Sequence, residues 1–543
     1  MEFNLADLFE SVVDVAGSQT AMVSGPRRLN YLELDQRANR LAHHLELHGI
    51  GPGDRVGLQL ANGTEYMEGM IACFKIRALP VNVNYRYVAG ELQYLYRDAG
   101  LVGLIFHNRF ATAVSGALDA MPETRALLGV SDGESAPGAA EDYETVIASA
   151  PDSRGFAPRR ADDLYCVYTG GTTGMPKGVL WHHQDIFFAA MGGGDPLSFG
   201  DHITSAEDLA LRVLHPGITA LAIPPFMHAA GHWLAFSTLF GGGKVVTVEG
   251  GAFDPVEVWR LVEAEAVNAV VLVGDAMARP LVAALAENPD RYDLSSLLAF
   301  GSGGAVLSPS TKERIAELLP GRIVADLFGS SETGQVGGEA PADDPFGAPR
   351  LRVNEKTNVL GVDLLPVAPG SGVIGKLGRS GHVPVGYLGD PEKSAATFVE
   401  SQGTRWALPG DMATVEEDGT IKVLGRGSLS INTGGEKVFP DEVEAAVKGH
   451  PDVVDAIVVG VPDERFGERV VAVVQPTPGT TVSTEDVRLA CRGKLTGYKI
   501  PRQVITVERV QRSPSGKPDY PWAKQLAAAA IDPSTPLDLP ERK

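Results

Sequence analysis

The densest concentration of reactive chemistry lies at Tyr168-Thr-Gly-Gly-Thr-Thr-Gly-Met-Pro-Lys-Gly-Val179, directly after the apolar run Leu164-Tyr-Cys-Val. Gly170, Gly171 and Gly174 lack a Cβ, so consecutive backbone N–H groups can turn into one concavity. Thr169, Thr172 and Thr173 add hydroxyl donors, and Lys177 adds a cation on a long stem. Donors and positive charge around a hollow are what wrapping a polyphosphate requires. The segment is not a Walker A loop, since it has no Gly-x4-Gly-Lys-Ser/Thr and Pro176 precedes the lysine. It also lacks the GxGxxG of a dinucleotide fold.

Further along, Leu327-Phe-Gly-Ser-Ser-Glu-Thr-Gly334 gathers an aromatic, two hydroxyls and a carboxylate. An aromatic face stacks on a base, and a carboxylate holds Mg²⁺ against phosphate oxygens. A hydrolase elbow GxSxG is excluded because Thr333 occupies the second glycine position. Gly301-Ser-Gly303-Gly304-Ala305-Val, Leu408-Pro-Gly-Asp411-Met, Gly425-Arg426, Pro225-Phe-Met-His228-Ala-Ala-Gly231-His232 and Ser513-Pro-Ser-Gly-Lys517 complete the set.

Together these motifs resemble the adenylate-forming superfamily of acyl-CoA synthetases, peptide-synthetase adenylation domains and luciferases. The resemblance runs from about residue 25 to 525. It implies that the 169–177 loop, with Thr169 and Lys177 as catalytic groups, embraces the ATP phosphates. It implies that Gly303, Gly304 and Ala305 pack against adenine, that Phe328 stacks on it, and that Gly329, Ser330 and Ser331 border the nucleotide. Ser331 contacts phosphate in place of the usual threonine. Glu332 becomes the Mg²⁺ ligand, Asp411 the ribose ligand, and Arg426 a neighbour of ribose or phosphate. His228, with Gly231 and more weakly His232, falls where the acid substrate is positioned. Lys517 contacts the carboxylate and the α-phosphate.

The family's two half-reactions are separated by rotation of the C-terminal domain. The pivot, usually Asp or Lys, is Ser428 here, and Gly427 before it keeps the joint flexible. Ile431-Asn-Thr-Gly434-Gly435-Glu436-Lys-Val-Phe-Pro440 then resembles the loop that lets pantetheine approach closely. With Ala78-Leu-Pro-Val-Asn-Val-Asn-Tyr-Arg-Tyr87 and Gly516-Lys-Pro-Asp-Tyr520, the pattern looks like the actinobacterial fatty-acid and steroid-side-chain CoA ligases. Gly192-Gly-Gly194 and Ala229-Ala-Gly231 remove side-chain volume near the presumed acid path, so a roomy pocket is expected there.

The elements that must hold these groups read as α/β. Short apolar runs such as Arg55-Val-Gly-Leu-Gln-Leu, Gly103-Leu-Ile-Phe, Ala269-Val-Val-Leu-Val and Ile323-Val-Ala-Asp-Leu-Phe alternate with Ala/Leu/Glu-rich stretches. Such runs predict strands buried on both faces in layered α/β sheets. Residues 340–425, rich in Gly, Pro and Val, predict a smaller β subdomain. A small α+β unit follows, with a helix opening at Pro440 and strands on either side of Pro462-Asp-Glu-Arg. The expected division is an adenylation domain at 1–427 and a mobile C-terminal domain at 428–543. Residues 131–142 read as a surface loop, and 529–543 as a loose tail. Asn4 caps a first helix whose buried stripe is Leu5, Leu8, Phe9, Val12 and Val13.

The chain has 543 residues, 44% hydrophobic and 21% charged, a globular balance that excludes collagen, disorder and a disulfide scaffold. Lys+Arg 47 against Asp+Glu 68 gives −21, which opposes coating nucleic acid or an anionic membrane. From Cys491 to Lys524, eight Lys/Arg face two acids, a local positive density suited to ATP or CoA phosphates. Cys73, Cys166 and Cys491 form no CxxC or Cys/His cluster, so neither a thiol framework nor a structural zinc site is expected. The acidic N-terminus reads as no signal peptide, no apolar run reaches about 18 residues, and a cytoplasmic setting follows. The expectation is an ATP-dependent acid–CoA ligase using Mg²⁺, with ATP, CoA and a small hydrophobic carboxylic acid as its partners. Its partners include no nucleic acid, and a homodimer is left open beside a monomer. Adenylation for a carrier protein or an amine is the alternative. A non-enzymatic nucleotide-binding protein is disfavoured because Lys517, Glu332 and Asp411 are all retained.

Overall fold

The computed structural model describes residues 2–135, 138–169, 175–195, 202–213, 217–248, 253–305, 307–339, 350–353, 355–433, 436–463, 465–492, 494–512 and 516–531. The first helix, Leu5–Ala16, begins as expected: the Asn4 side chain accepts from the Ala6 N–H, and Leu5, Leu8, Phe9, Val12 and Val13 are buried.

Two sheets form the body of the large domain. A five-stranded parallel sheet runs in the order Leu79–Asn82, Arg55–Gln59, Gly103–His107, Ala126–Val130, Glu141–Asp142. A longer sheet contains a parallel block, Thr20–Ser24, Lys244–Thr247, Thr219–Ala222, Ala269–Leu272, Ala299–Gly303 and Ile323–Ser330. Parallel strands need crossovers, and the helices Ala229–Phe240, Pro255–Ala264, Gly274–Glu287 and Pro309–Leu318 occur between these strands in the chain. Leu104, Ile105 and Phe106 are fully buried, as double coverage demands. A three-stranded antiparallel sheet, Gly386–Tyr387, Lys177–His182 and Leu164–Thr169, lies apart from both.

The Gly/Pro/Val-rich region is indeed built of strands, but it does not make a sheet of its own. Arg350–Val353, Ile421–Arg426, Asp411–Val415, Gly375–Ser380, Thr404–Ala407 and Phe398–Ser401 extend the long sheet antiparallel beyond Gly334–Glu339. Composition identified the strands but not their hydrogen-bond partners.

The C-terminal unit shows the period-2 logic of a sheet covered on both faces. Val453–Asp463 and Gly467–Pro476 pair antiparallel. Ala456, Val458, Ala472 and Val474 pack with the helix Pro440–Lys448, whereas Ile457, Val459, Val471 and Val473 pack with the helix Tyr520–Ile531. The expected tail beginning at 529 is therefore corrected: the helix persists to Ile531, anchored by buried Ala523 and Ala527. The 131–142 loop also ends in structure, because Glu141–Asp142 pairs with Ala126–Val130. Among the described residues no helix is long and apolar enough to cross a membrane.

Candidate active site

The large sheet delivers the first pair of groups. Asp411 starts one strand and Arg426 ends the next, and the antiparallel register sets them opposite each other. Arg426 Nε lies 2.8 Å from Asp411 Oδ1. Burial raises the Asp411 pKa, Glu332 adds to the rise, and Arg426 and Lys517 oppose it. A buried carboxylate with one oxygen engaged and cations beside it can accept hydroxyls at the other.

Lys517 comes from the small domain and completes the group. It is exposed to solvent within the cleft. The surrounding walls still withdraw enough water to lower its ammonium pKa; Arg426 adds to that fall, while Glu332 and Asp411 oppose it. The loop is braced from behind: Arg512 donates to the Gly516 carbonyl at 3.0 Å and holds Asp455 through two 2.6 Å bonds. Gly516 has a φ of +77°, and a Cβ there would sit 3.3 Å from Val273 Cγ1 of the large domain. The same Val273 methyl lies 3.9 Å from where Gly304 would carry a Cβ. The lysine loop and the Gly303-Gly304-Ala305 turn are thus neighbours. Arg279 of the large domain also donates to the Val454 carbonyl of the small one.

Glu332 follows the strand Ile323–Ser330, and Tyr387 donates its hydroxyl to Glu332 Oε1 at 3.0 Å. Trp181 Nε1 donates to the Ser331 carbonyl at 3.0 Å, tying this turn to the strand Lys177–His182. Ser330 and Thr333 close the turn through their hydroxyls, 3.1 Å apart. Gly329 has no room for a side chain, since a Cβ would meet the Gly334 carbonyl oxygen at 2.2 Å. Phe328 is half-buried against the Val336/Leu351 cluster, leaving part of the ring free.

Thr169 and Lys177 are paired across two antiparallel strands, and Gly170, Gly171, Thr172, Thr173 and Gly174 lie between them in the sequence. Those five residues lie outside the described ones. Lys177 is ion-paired with Asp390, the N-cap of helix Pro391–Thr397. The sequence-based reading sends Lys177 to phosphate; in this structure a carboxylate holds it at the cleft wall.

His228 is the N-cap of helix Ala229–Phe240, and its Nε2 is buried without a hydrogen-bond partner. Burial lowers its pKa to about 3, with the charges of Lys517 and Arg86 adding to the fall. It is a neutral imidazole with an uncommitted nitrogen beside Lys517. His232 differs. Its Nδ1–H donates to the Phe226 carbonyl at 2.7 Å, and its Nε2 accepts from Tyr165, whose oxygen accepts from Trp233 Nε1 at 2.9 Å. Both nitrogens are committed to protein, and burial lowers its pKa to about 4, so His232 braces the start of the helix.

The glycines expected to open a pocket are packed. A Cβ on Gly231 would lie 2.7 Å from the Pro224 oxygen and 2.8 Å from that of Pro225. On Gly192, Gly193 and Gly194, all at positive φ, it would meet Ser237, His202 and Ile203 at 2.7, 2.9 and 2.6 Å. These glycines permit close approach and tight turning, which corrects the roomy-pocket expectation at these positions.

Ser428 sits exposed in the turn Gly427–Leu429, between the large sheet's Ile421–Arg426 and the small domain's Ile431–Thr433. Leu429 already packs on the small domain. Glu436 is exposed beside the hairpin turn, and Gly434 and Gly435 lie outside the described residues. The basic stretch after Cys491 is less positive than its sequence implies: Glu485 pairs with Arg492, Glu442 with Lys499, and Asp455 with Arg512.

Sequence reasoning missed the residues that aim the site. Asn82 donates to the carbonyls of Tyr168 and Met227 at 2.9 and 2.7 Å and accepts from Tyr168 N–H. It joins the end of the Leu164–Thr169 strand to the His228 loop. Asn62 accepts from Phe226 N–H at 2.6 Å. Tyr387 and Asp390 were equally unmarked. Asparagines set beside apolar runs, as in Leu79-Pro-Val-Asn82-Val and Leu58-Gln-Leu-Ala-Asn62, were the available signal, because an amide drawn into such surroundings must find partners.

Residues 9–378 match the family profile described as AMP-binding enzyme, and residues 442–517 match that of the AMP-binding enzyme C-terminal domain. The chain is 47% identical over 536 residues to a 3-oxocholest-4-en-26-oate–CoA ligase of Rhodococcus rhodochrous, covering 96% of each chain. It is 46% identical to a medium/long-chain-fatty-acid–CoA/3-oxocholest-4-en-26-oate–CoA ligase of Mycobacterium tuberculosis, covering 97% of this chain and 96% of that one. Among solved structures, the anthranilate CoA ligase AuaEII in complex with anthranoyl-AMP shares the fold with a TM-score of 0.83 at 23% identity, covering 97% of each chain.

Proposed function

This chain belongs to the AMP-binding enzyme family, and from that membership and its cleft we propose that it is an ATP-dependent acid–CoA ligase. A carboxylate is inert toward a thiol because its leaving group would be oxide. In the first step a carboxylate oxygen attacks the α-phosphorus of ATP, the bond to the β-phosphate oxygen breaks, and pyrophosphate leaves. In the second step the CoA sulfur attacks the acyl carbonyl of the adenylate. The carbon–oxygen bond to AMP breaks, and the thiol proton is released.

The observation that carries the reading is the convergence of Lys517 with Glu332, Asp411, Arg426 and His228 from two domains. Lys517 neutralises the charge that collects between carboxylate and α-phosphate, where fixed charge acts most strongly. Asp411 accepts the ribose hydroxyls, and the Arg426 guanidinium beside it favours the carboxylate form. Glu332, oriented by Tyr387, is a hard oxygen donor that fits Mg²⁺. Bound there, the ion would neutralise phosphate oxygens. His228, neutral and with a free nitrogen, can orient the acid without repelling Lys517. Ser428 is the pivot between domains of 1–427 and 428–543, Gly434, Gly435 and Glu436 border the CoA path, and the loop around 170–174 takes the phosphates.

For the acid, the curated relatives point to a bulky hydrophobic carboxylate, a medium or long fatty acid or a steroid side-chain acid. Apolar burial of each CH₂ is worth about 0.8 kcal/mol, enough to rank chain lengths. The three cysteines are free and buried, in keeping with a reducing cytoplasm. The test measures pyrophosphate release across a carboxylate panel, then AMP release with and without CoA, in parent and Lys517→Ala. Lys517→Ala should lose adenylate formation and keep thioester formation from supplied acyl-adenylate. Equal loss of both half-reactions, or release of AMP to an amine but not to CoA, would overturn the assignment.

A further inference from the structure

We propose that His44, His48 and Glu141 form a binding site for a divalent ion of the zinc class. None of the elements that build the Lys517 cleft contributes to it, so it stands independently of the ligase reading. His44 and His48 are one turn apart at the C-terminal end of helix Tyr31–Leu47, and their rings share one face with centroids 4.3 Å apart. Glu141 opens the edge strand Glu141–Asp142 and is paired in register with Leu128. Its Oε1 lies 3.4 Å from His44 Nε2 and 3.5 Å from His48 Nε2, and the three donor atoms fall within 4.8 Å of one another. A tetrahedral ion with bonds of about 2.0–2.1 Å holds its ligand atoms about 3.3 Å apart. The oxygen–nitrogen separations already fit that value.

The proton positions favour the same conclusion. His48 Nδ1 lies 2.9 Å from the His44 carbonyl oxygen. A carbonyl only accepts, so Nδ1 carries a hydrogen, and in the neutral tautomer this leaves the Nε2 lone pair on the side of Glu141. Backbone support of the second ring nitrogen is how metal-binding histidines are commonly oriented. His44 is 8% exposed, and its Nε2 has no hydrogen-bond partner although Glu141 is near. Two imidazole nitrogens therefore converge on one carboxylate oxygen, and that of His44 is buried without a hydrogen-bond partner. A cation resolves that arrangement, and the negative end of the helix dipole favours it further. His48 and Glu141 are partly exposed, leaving a path and space for water as a fourth ligand. Two imidazoles and one carboxylate select zinc, cobalt or nickel over magnesium. The bound ion would pin a two-residue edge strand to the helix end.

The test uses full-length protein without a polyhistidine tag, stripped with EDTA and titrated with ZnCl₂ by calorimetry in the absence of ATP, with Co²⁺ absorption as a second readout. The parent should take up one ion per chain and rise in Tm when zinc is added. His48→Ala and Glu141→Gln, both at partly exposed positions, should each weaken uptake on the order of 100-fold. Both should lose the Tm response and keep ligase turnover. Absence of zinc uptake in the micromolar range would overturn the proposal, showing a cluster that binds only protons. Uptake unchanged in both variants would also overturn it, placing the ion elsewhere.

Discussion

Replacing Gly231 with alanine separates two accounts of this residue. Its Cβ would meet backbone, 2.7 Å from the Pro224 oxygen, 2.8 Å from the Pro225 oxygen and 3.1 Å from the Pro225 carbon. These atoms cannot swing away as a side chain could. The loop is pinned by Asn62, which donates to the Pro224 carbonyl at 3.1 Å and accepts from Phe226 N–H at 2.6 Å. Helix propensity returns up to about 1 kcal/mol for Gly→Ala. Overpacking costs about 1–3 kcal/mol, and a stretched Asn62 bond removes up to about 1 kcal/mol more. The net is roughly 1–2 kcal/mol of destabilisation, read as a Tm lower by about 1–2 °C in a chain of this size. The moved backbone carries His228, so kcat/KM should fall by up to about tenfold. That fall should be the same for every acid, because orientation changes and pocket length does not. The assay is a thermal scan together with kcat/KM over a series of fatty acids of increasing length. A variant as stable as the parent whose optimum moves to shorter acids would refute the packing argument and place Gly231 on the acyl path.

Glu332→Gln removes a charged ligand and should raise the Mg²⁺ concentration needed for half-maximal adenylate formation steeply; an unchanged magnesium titration would remove Glu332 from that role. Tyr387→Phe deletes the hydroxyl that orients Glu332 and should slow adenylation by about tenfold, with a milder rise in the Mg²⁺ requirement; parental kinetics would show that the bond is dispensable. Glu444 is 4% exposed and accepts from Val458 N–H at 2.9 Å. Burial first, then Asp441, raises its pKa to about 7, while Lys448 and Arg512 oppose the rise and Tyr520 stands beside it. A folded pKa above the unfolded one gives stability that is present below about pH 4.5 and lost as pH rises through about 7. Glu444→Gln keeps the acceptor and removes the charge. It should therefore match the parent near pH 5 and exceed it near pH 8 by roughly 1–3 kcal/mol, seen as a higher Tm; parallel Tm–pH curves would contradict the assignment.

Contiguous chemistry was legible in the sequence. The motif order, the Asn4 cap and the strands at 55–59, 103–107 and 269–272 depend on neighbouring residues, whose backbone preferences and hydrogen bonds are local. The same held for the period-2 strands of the small domain. Tertiary structure decided which distant groups share a space. Lys517 meets Asp411 across two domains, Asp390 captures Lys177, and Asn82 binds the Tyr168 and Met227 carbonyls together. His44 and His48 stand one helical turn apart in plain view, yet their third partner arrives from a separate sheet edge. The glycines at 192–194 and 231 show the reason most directly. A missing Cβ looks like empty space in a sequence, and only the folded backbone around it reveals whether that space is open or occupied.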